Sequence, residues 1–263
     1  MRLLTSAALA AAALLSTACG DDGSGGDGGD GGAGSGAFAG AGAGSPGSSG
    51  PGPGVGGSLS CGESPLRTGE ATYYDFADGS GNCSFPATPD DLRVAAMNAV
   101  DYASSAACGA CVAITGPKGE VTARIVDQCP GCPEGDIDLS PEAFEQIADL
   151  SAGRVDIEWR YVPCAVQGPL VYHFKEGSNQ WWTAVQIRNH RYAVAEVAYQ
   201  NAEGAWVGVP RESYNYFVEA AGMGPGPYAF RVTDIYGQVV EDSGIPFVEA
   251  GDSAGAAQLG DCQ

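Results

Sequence analysis

The stretch from Val121 to Ala148 constrains this chain more than any other. It reads, in order, as an apolar strand Val121 to Val126, an acid at Asp127, a turn Cys129-Pro130-Gly131-Cys132, a second acid at Asp138, and a capped helix. Ser140 is a good N-cap, Pro141 suits the first helical position, and Glu142 favours the positive helix end. Phe144, Ile147 and Ala148 then share one apolar face. Asp127 and Asp138 lie eleven residues apart across a turn-rich connection. Two carboxylates held on a rigid strand and helix corner are what a polysaccharide-handling groove needs.

The chain opens with a targeting segment over residues 1–19. Arg2 supplies a short positive region, Leu3 to Leu15 an apolar one, and Ala18 a small residue before Cys19. The apolar run is too short to span a bilayer as a mature helix. Leu14-Leu15-Ser16-Thr17-Ala18-Cys19 resembles a bacterial lipoprotein signal, which implies a lipidated Cys19 and membrane attachment. Ordinary secretion with Cys19 removed is the alternative. Residues 20–58 are nearly all Gly, Ser, Ala, Asp and Pro. Such a segment buries too little apolar surface to offset chain entropy and reads as a flexible tether. The expected organisation is then a first folded domain over 59–164, a second over 165–250, and a C-terminal tail over 251–263. The 32 acidic against 12 basic residues exclude nucleic acid as a partner and disfavour anionic wall polymers. Neutral glycans suit this surface, on an extracellular or cell-surface protein expected to be monomeric.

Nine cysteines are present, and eight remain once Cys19 is set aside: Cys61, Cys83, Cys108, Cys111, Cys129, Cys132, Cys164 and Cys262. An even number in an exported chain reads as disulfides. The rival is zinc, because Cys108-x-x-Cys111 and Cys129-x-x-Cys132 are separated by seventeen residues, a zinc-ribbon spacing. Export and the four further cysteines favour disulfides and no metal.

The two halves differ in pattern. From Gly69 to Pro163, short β-type runs at Glu70–Tyr74, Cys111–Ile114, Val121–Val126 and Arg154–Val162 are interrupted by helical stretches. One is expected from Pro89 to Asn98 with Thr88 as cap, the other after Ser140. This mixture suggests a small β-barrel with helical decorations. From Gln167 to Val248 the reading is almost all β. The candidate strands are Leu170–Lys175, Trp182–Asn189, Ala193–Tyr199, Trp206–Val209 and Tyr228–Ile235, a sandwich pattern. Trp206 reads as core. The junction Cys164 to Pro169 is short, so the halves should pack tightly.

The residues that carry chemistry resemble those of a known family. Gly69-x-Ala71-Thr72-Tyr73, Thr122 to Asp127, Asp136-Ile137-Asp138-Leu139-Ser140-Pro141-x-Ala143-Phe144 and Trp159-Arg160 match bacterial expansin-like proteins in order. So do Lys175 to Ser178, Trp181-Trp182-x-Ala184-Val185-Gln186-Ile187-Arg188-Asn189-His190, Tyr214-Asn215-x-Phe217 and Arg231 to Asp234. The resemblance implies a mainly β fold, with a six-stranded double-psi β-barrel followed by an immunoglobulin-like β-sandwich. It implies non-hydrolytic loosening of plant-type walls and binding to cellulose or a related β-glucan, without a cofactor. Thr72, Asp127 and Asp138 fall on the family's groove positions. Trp181, Trp182 and Tyr214 fall on its aromatic platform, with Lys175 as a nearby basic contact. The family pattern also implies Cys83–Cys108 and Cys111–Cys164 bridges, leaving Cys129–Cys132 and Cys61–Cys262. One departure is that Cys129 stands where bacterial relatives often carry a groove tyrosine.

The residues support these roles on their own terms. The faces of a β-linked glucan are apolar, and flat rings in a row cover them. Adjacent tryptophans alternate across a regular strand, so both face sugar only on a loop or bulge. Inverting hydrolysis needs an acid and a base. Asp138 is a plausible acid. Aligned on Thr72 and Tyr74, the base of related endoglucanases falls on Phe76. Asp75 is one residue early, which turns it to the other face. An inverting endoglucanase therefore lacks a base, although a lytic transglycosylase on the same barrel needs only one acid. A cellulose-binding adhesin with an inactive barrel is the third alternative. His173 and His190 stand in no metal or triad spacing and read as structural, and no phosphate loop or dinucleotide fingerprint appears.

Overall fold

The computed structural model describes residues 64–75 and 78–262. The expected signal over 1–19, its Cys19, the tether over 20–58, Cys61 and Phe76 lie outside the described residues. The first half builds β1 (Arg67–Tyr73), β2 (Val94–Asn98), helix α1 (Ala99–Tyr102), β3 (Cys111–Thr115), β4 (Glu120–Cys129), β5 (Ile137–Leu139), helix α2 (Pro141–Ile147) and β6 (Val155–Val162). The six strands close into a barrel in the order β1-β5-β2-β4-β3-β6. The pairs β1–β5 and β2–β4 are parallel and the others antiparallel. Along β6, Ile157 and Trp159 alternate inward with exposed acids, as period-two burial requires. Trp159, Met97, Phe144, Ile125, Ile137 and Leu139 fill the interior.

Segment 94–98 corrects an expectation. The run Val94-Ala95-Ala96-Met97-Asn98 has helix-forming composition, yet it forms the fully buried strand β2 between β4 and β5. Helix begins only at Ala99, where the Asn98 side chain accepts from Asp101 N at 2.9 Å. Burial on every side removes the polar spacing that separates strand from helix in a sequence, and pairing on both edges overrides propensity. The second helix forms where expected. Ser140 accepts from Ala143 N at 3.1 Å, and Ala143, Phe144 and Ile147 are buried.

The second half contains β7 (Val171–Phe174), β8 (Thr183–Arg188), β9 (Val194–Gln200), β10 (Trp206–Val209), β11 (Phe217–Glu219), β12 (Tyr228–Asp234), β13 (Val239–Ile245) and β14 (Asp252–Ala254). They form two four-stranded sheets, β10-β9-β12-β13 and β11-β8-β7-β14. Between them Tyr172 stacks on Phe230 at 4.9 Å, beside Phe174. The tail expected over 251–263 is part of this sandwich. Residues 252–254 pair with β7, and Leu259 is buried in the core. Trp206 is also corrected: it lies half-buried on an edge strand with the Arg231 guanidinium 4.4 Å above its ring, outside the core.

Three disulfides lie wholly within the described residues: Cys83–Cys108, Cys111–Cys164 and Cys129–Cys132. Cys108 and Cys111 thus bond to different partners, which dissolves the zinc-ribbon set. Cys262 is also disulfide-bonded.

The halves meet in a seam of buried polar contacts. Gln186 and Asn215 donate to the Cys83 carbonyl at 2.8 and 3.2 Å, and Arg211 donates to Ser105 O at 3.0 Å and Val194 O at 2.6 Å. His190 lies fully buried in the seam, so close to Gly109 that a Cβ there would sit 2.4 Å from its Nε2. Burial holds its pKa down at about 4, and its Nδ1 lies 2.7 Å from Tyr192 O. A native histidine that resists protonation loses stability as pH falls from the ordinary 6.5 toward 4. His190→Gln should reduce the stability lost between pH 7 and 4.5 by about 2 kcal/mol relative to the parent. Urea unfolding of both proteins at the two pH values measures this, and equal losses would count against it.

Candidate functional site

Pairing of β1 with β5 sets Thr72 directly opposite Asp138. The Thr72 hydroxyl donates to Asp138 Oδ1 at 2.5 Å, and Asp138 is half-buried. Burial pushes the Asp138 carboxyl above the ordinary carboxylate range, while the Thr72 hydrogen bond and the Arg154 charge pull it back. Asp127 reaches the same end of the barrel on β4. Its Oδ1 accepts from Asn82 N at 2.7 Å and from Gln128 N at 2.8 Å. Gly81 allows this approach, since a Cβ there would sit 2.5 Å from Asp127 Cβ. Asp127 is therefore held by backbone donors and does not bond to Thr72 or Asp138.

Tyr74 completes the group, and sequence reasoning gave it no role. Its hydroxyl is buried without a hydrogen-bond partner among the described residues. Its pKa is raised first by burial and then by the charges of Asp127 and Asp138. A neutral phenol beside two acids adds an aromatic surface to the group. Cys129 itself is bridged to Cys132 in the turn that follows β4. Asp75 is exposed, in a turn just after β1.

The aromatic residues gather on the outer face of the β11-β8-β7-β14 sheet. The backbone between Asn179 and Trp182 folds into a tight turn. Asn179 N donates to Trp182 O at 2.7 Å, and Trp181 N donates to the Asn179 side chain at 2.9 Å. The turn frees the tryptophans from strand alternation. Trp181 is 72% exposed, while Trp182 and Tyr214 pack half-buried on Ala184, Tyr216 and Val218. Gly222, at φ +77°, lies against the turn, where a Cβ would sit 2.1 Å from Gln180 O. Lys175 Nζ stands 6.0 Å from the centroid of Tyr216, a ring that sequence reading passed over. Tyr216 in turn lies 5.8 Å from Tyr214 and 6.2 Å from His173, whose Nδ1 is 2.6 Å from Asp252.

One residue joins the two groups. The Asn82 side chain donates to Ser213 O at 3.0 Å and to Tyr102 OH at 2.8 Å, while its backbone N–H binds Asp127. Tyr214 follows Ser213 directly. Asp127 and the aromatic face are thus linked through a single side chain.

The barrel sequence, residues 67–159, matches the family profile described as lytic transglycolase. Expansin-YoaJ of Bacillus subtilis (strain 168) is 35% identical over 192 residues, which cover 72% of this chain and 82% of that protein. The chain belongs to the expansin family. A crystal structure of apo expansin from Clavibacter michiganensis superposes with a TM-score of 0.69 at 34% identity, covering 74% of this chain and 98% of that one. A mutant of the Clavibacter expansin, solved in complex with cellohexaose, matches at the same TM-score of 0.69 and 33% identity, with the same coverage. The matches to these expansins extend well beyond the barrel, so the double-psi barrel and β-sandwich expected of the family are the fold of this chain.

Asp138 should titrate above its ordinary value of 3.8. Thr72→Val removes a hydrogen bond that favours the anion and should move the midpoint higher still. Carboxyl-carbon NMR on the two proteins reads this, and a fall on removing the hydroxyl would overturn the account of the pair.

Proposed function

We propose that this expansin binds cellulose or a related plant-wall β-glucan and loosens its packing without cutting it. The supporting observation is the acid pair. Asp138 is half-buried, bonded to Thr72 and biased toward holding a proton, while Asp127 is occupied by two backbone N–H groups. Inverting hydrolysis requires a second carboxylate free to activate water. Both bonds to Asp127 fall on Oδ1 and fix its orientation from the backbone, and Asp75 sits exposed in a turn, so neither is set opposite Asp138 as a base. A protonated Asp138 can instead exchange hydrogen bonds with glucan hydroxyls and disturb contacts between neighbouring chains. This loosening weakens as pH rises through the Asp138 midpoint, because the anion has no proton to donate.

Trp181, Trp182 and Tyr214 hold the glucan by covering its apolar face, with Lys175 and Tyr216 beside them. The aromatic face and the short Asn82 link favour a glucan lying along both groups. Export places the protein outside the cell. Cys19 anchors it to a membrane, residues 20–58 give the folded body reach, and it acts as a monomer. The lytic transglycosylase alternative keeps one point in its favour, the match of its family profile to the barrel. The attached aromatic face and the strongly acidic surface fit neutral glucan better than an anionic wall polymer.

Alanine at both Trp181 and Trp182 should lower retention on microcrystalline cellulose at least tenfold, about 1.4 kcal/mol or more. Asp138→Asn should abolish extension of isolated walls and leave that retention intact. A reducing-sugar assay on the same preparation separates the readings. Release of reducing ends by the parent, stopped by Asp138→Asn, would replace loosening with hydrolysis. Non-reducing anhydro products from peptidoglycan would establish the transglycosylase.

A further inference from the structure

A second concave surface lies on the outer wall of the barrel, where β2, β3 and β4 run toward the Cys164–Val166 connection. We propose that this cleft, built on Arg124, binds the carboxylate of a single uronic-acid residue carried by an otherwise neutral glycan.

Arg124 stands in the middle of β4, paired with Val94 on one side and Cys111 on the other. Its guanidinium lies 5.3 Å from the centroid of the Phe85 ring. Among the described residues it meets no hydrogen-bond acceptor and no carboxylate within ion-pair distance. Two adjoining hollows, about 470 and 200 Å³, share Arg124, Cys164 and Val166. Arg93 also lines the larger one, but Asp91 already holds it in a bidentate pair at 2.9 and 3.1 Å. The local charge is therefore the single positive charge of Arg124.

That charge fits a monoanion. A carboxylate matches the planar guanidinium fork in two parallel hydrogen bonds, whereas a phosphate dianion would leave a negative charge uncompensated. The rest of the lining suits a sugar ring. Thr122 presents a hydroxyl, the Thr88 hydroxyl donates to Asp91 O at 3.0 Å and can only accept from a ligand, and Pro163 and Val166 give an apolar surface. Burial pulls the Arg124 pKa below its ordinary value, a cost that a ligand carboxylate offsets. The net charge of −20 repels polyuronates as a class. An isolated uronate on a neutral chain brings only one negative charge to a locally positive site. The cleft shares no residue with the groove or the aromatic face, so it stands or falls separately from the loosening activity.

Isothermal titration of the full chain with an aldotetraouronic acid, one glucuronate on xylotriose, tests the proposal. Neutral xylotetraose and inorganic phosphate serve as comparison arms. The expected result is saturable one-to-one binding of the acidic oligosaccharide at pH 7 and low salt, with no saturation by xylotetraose. Arg124→Gln should weaken that binding about tenfold or more, and Arg124→Lys, which keeps the charge but loses the fork, by less. An unchanged thermal unfolding midpoint of both variants shows that they fold. Equal binding of the acidic and neutral oligosaccharides, undiminished binding by Arg124→Gln, or saturation by phosphate alone would each overturn it.

Discussion

The hydrogen bonds around Asn82 and Cys83 are the contacts on which the rest of the molecule's arrangement depends. The Asn82 backbone N–H fixes Asp127, and its side chain reaches Ser213 beside the aromatic face. Cys83 N donates to Val126 O at 3.0 Å, which ties the segment to β4. The Cys83 carbonyl takes two buried amides from the sandwich, and its sulfur is bonded to Cys108. Buried amides left without acceptors cost about 1–3 kcal/mol each. Any motion that parts the two halves must therefore strand Gln186 and Asn215 together. The segment has no regular secondary structure, yet it couples a groove acid, a disulfide and the aromatic face.

The two ionisable groups set apart by burial respond to acid in opposite ways. Asp138, with a raised pKa, keeps its proton into milder conditions. His190, with a pKa near 4, refuses one. Acid therefore favours the hydrogen-bonding form of the groove while withdrawing stability from the seam that positions it.

Much of this was legible in the residues. The inward alternation of β6 and β12, the Ser140 cap, the acids of the groove and the tryptophan pair all carry local signals. The failures have physical causes. Segment 94–98 is buried on every side, so no period marked it as a strand. β11 and β14 are three residues each, and β14 is Asp-Ser-Ala, without apolar alternation to reveal it. β13 alternates buried and exposed residues, but Glu241, Asp242, Ser243 and Gly244 mask the pattern. Asp242 is buried because Tyr172 OH and Ala256 N both donate to it, a long-range satisfaction that no window of sequence contains. Asn82, Tyr74 and Tyr216 matter through partners far along the chain, and Trp206 escaped the core because Arg231 covers it from the next-but-one strand.

The short Asn82 link between the groove and the aromatic face has one more consequence. Two binding elements on a floppy linker sample many separations, and the second finds its site at an effective concentration set by chain statistics. Here the separation is fixed by the Asn82 side chain, a disulfide-braced loop and the buried amides of the seam. On the proposed reading, once the aromatic rings settle on a glucan, the groove acids meet the same strand at a single spacing. A stretch that runs straight gains both contacts together, while a bent or interrupted one gains only the first. On that reading avidity measures how straight the polymer is, and targets are sorted by shape before any hydrogen bond is exchanged.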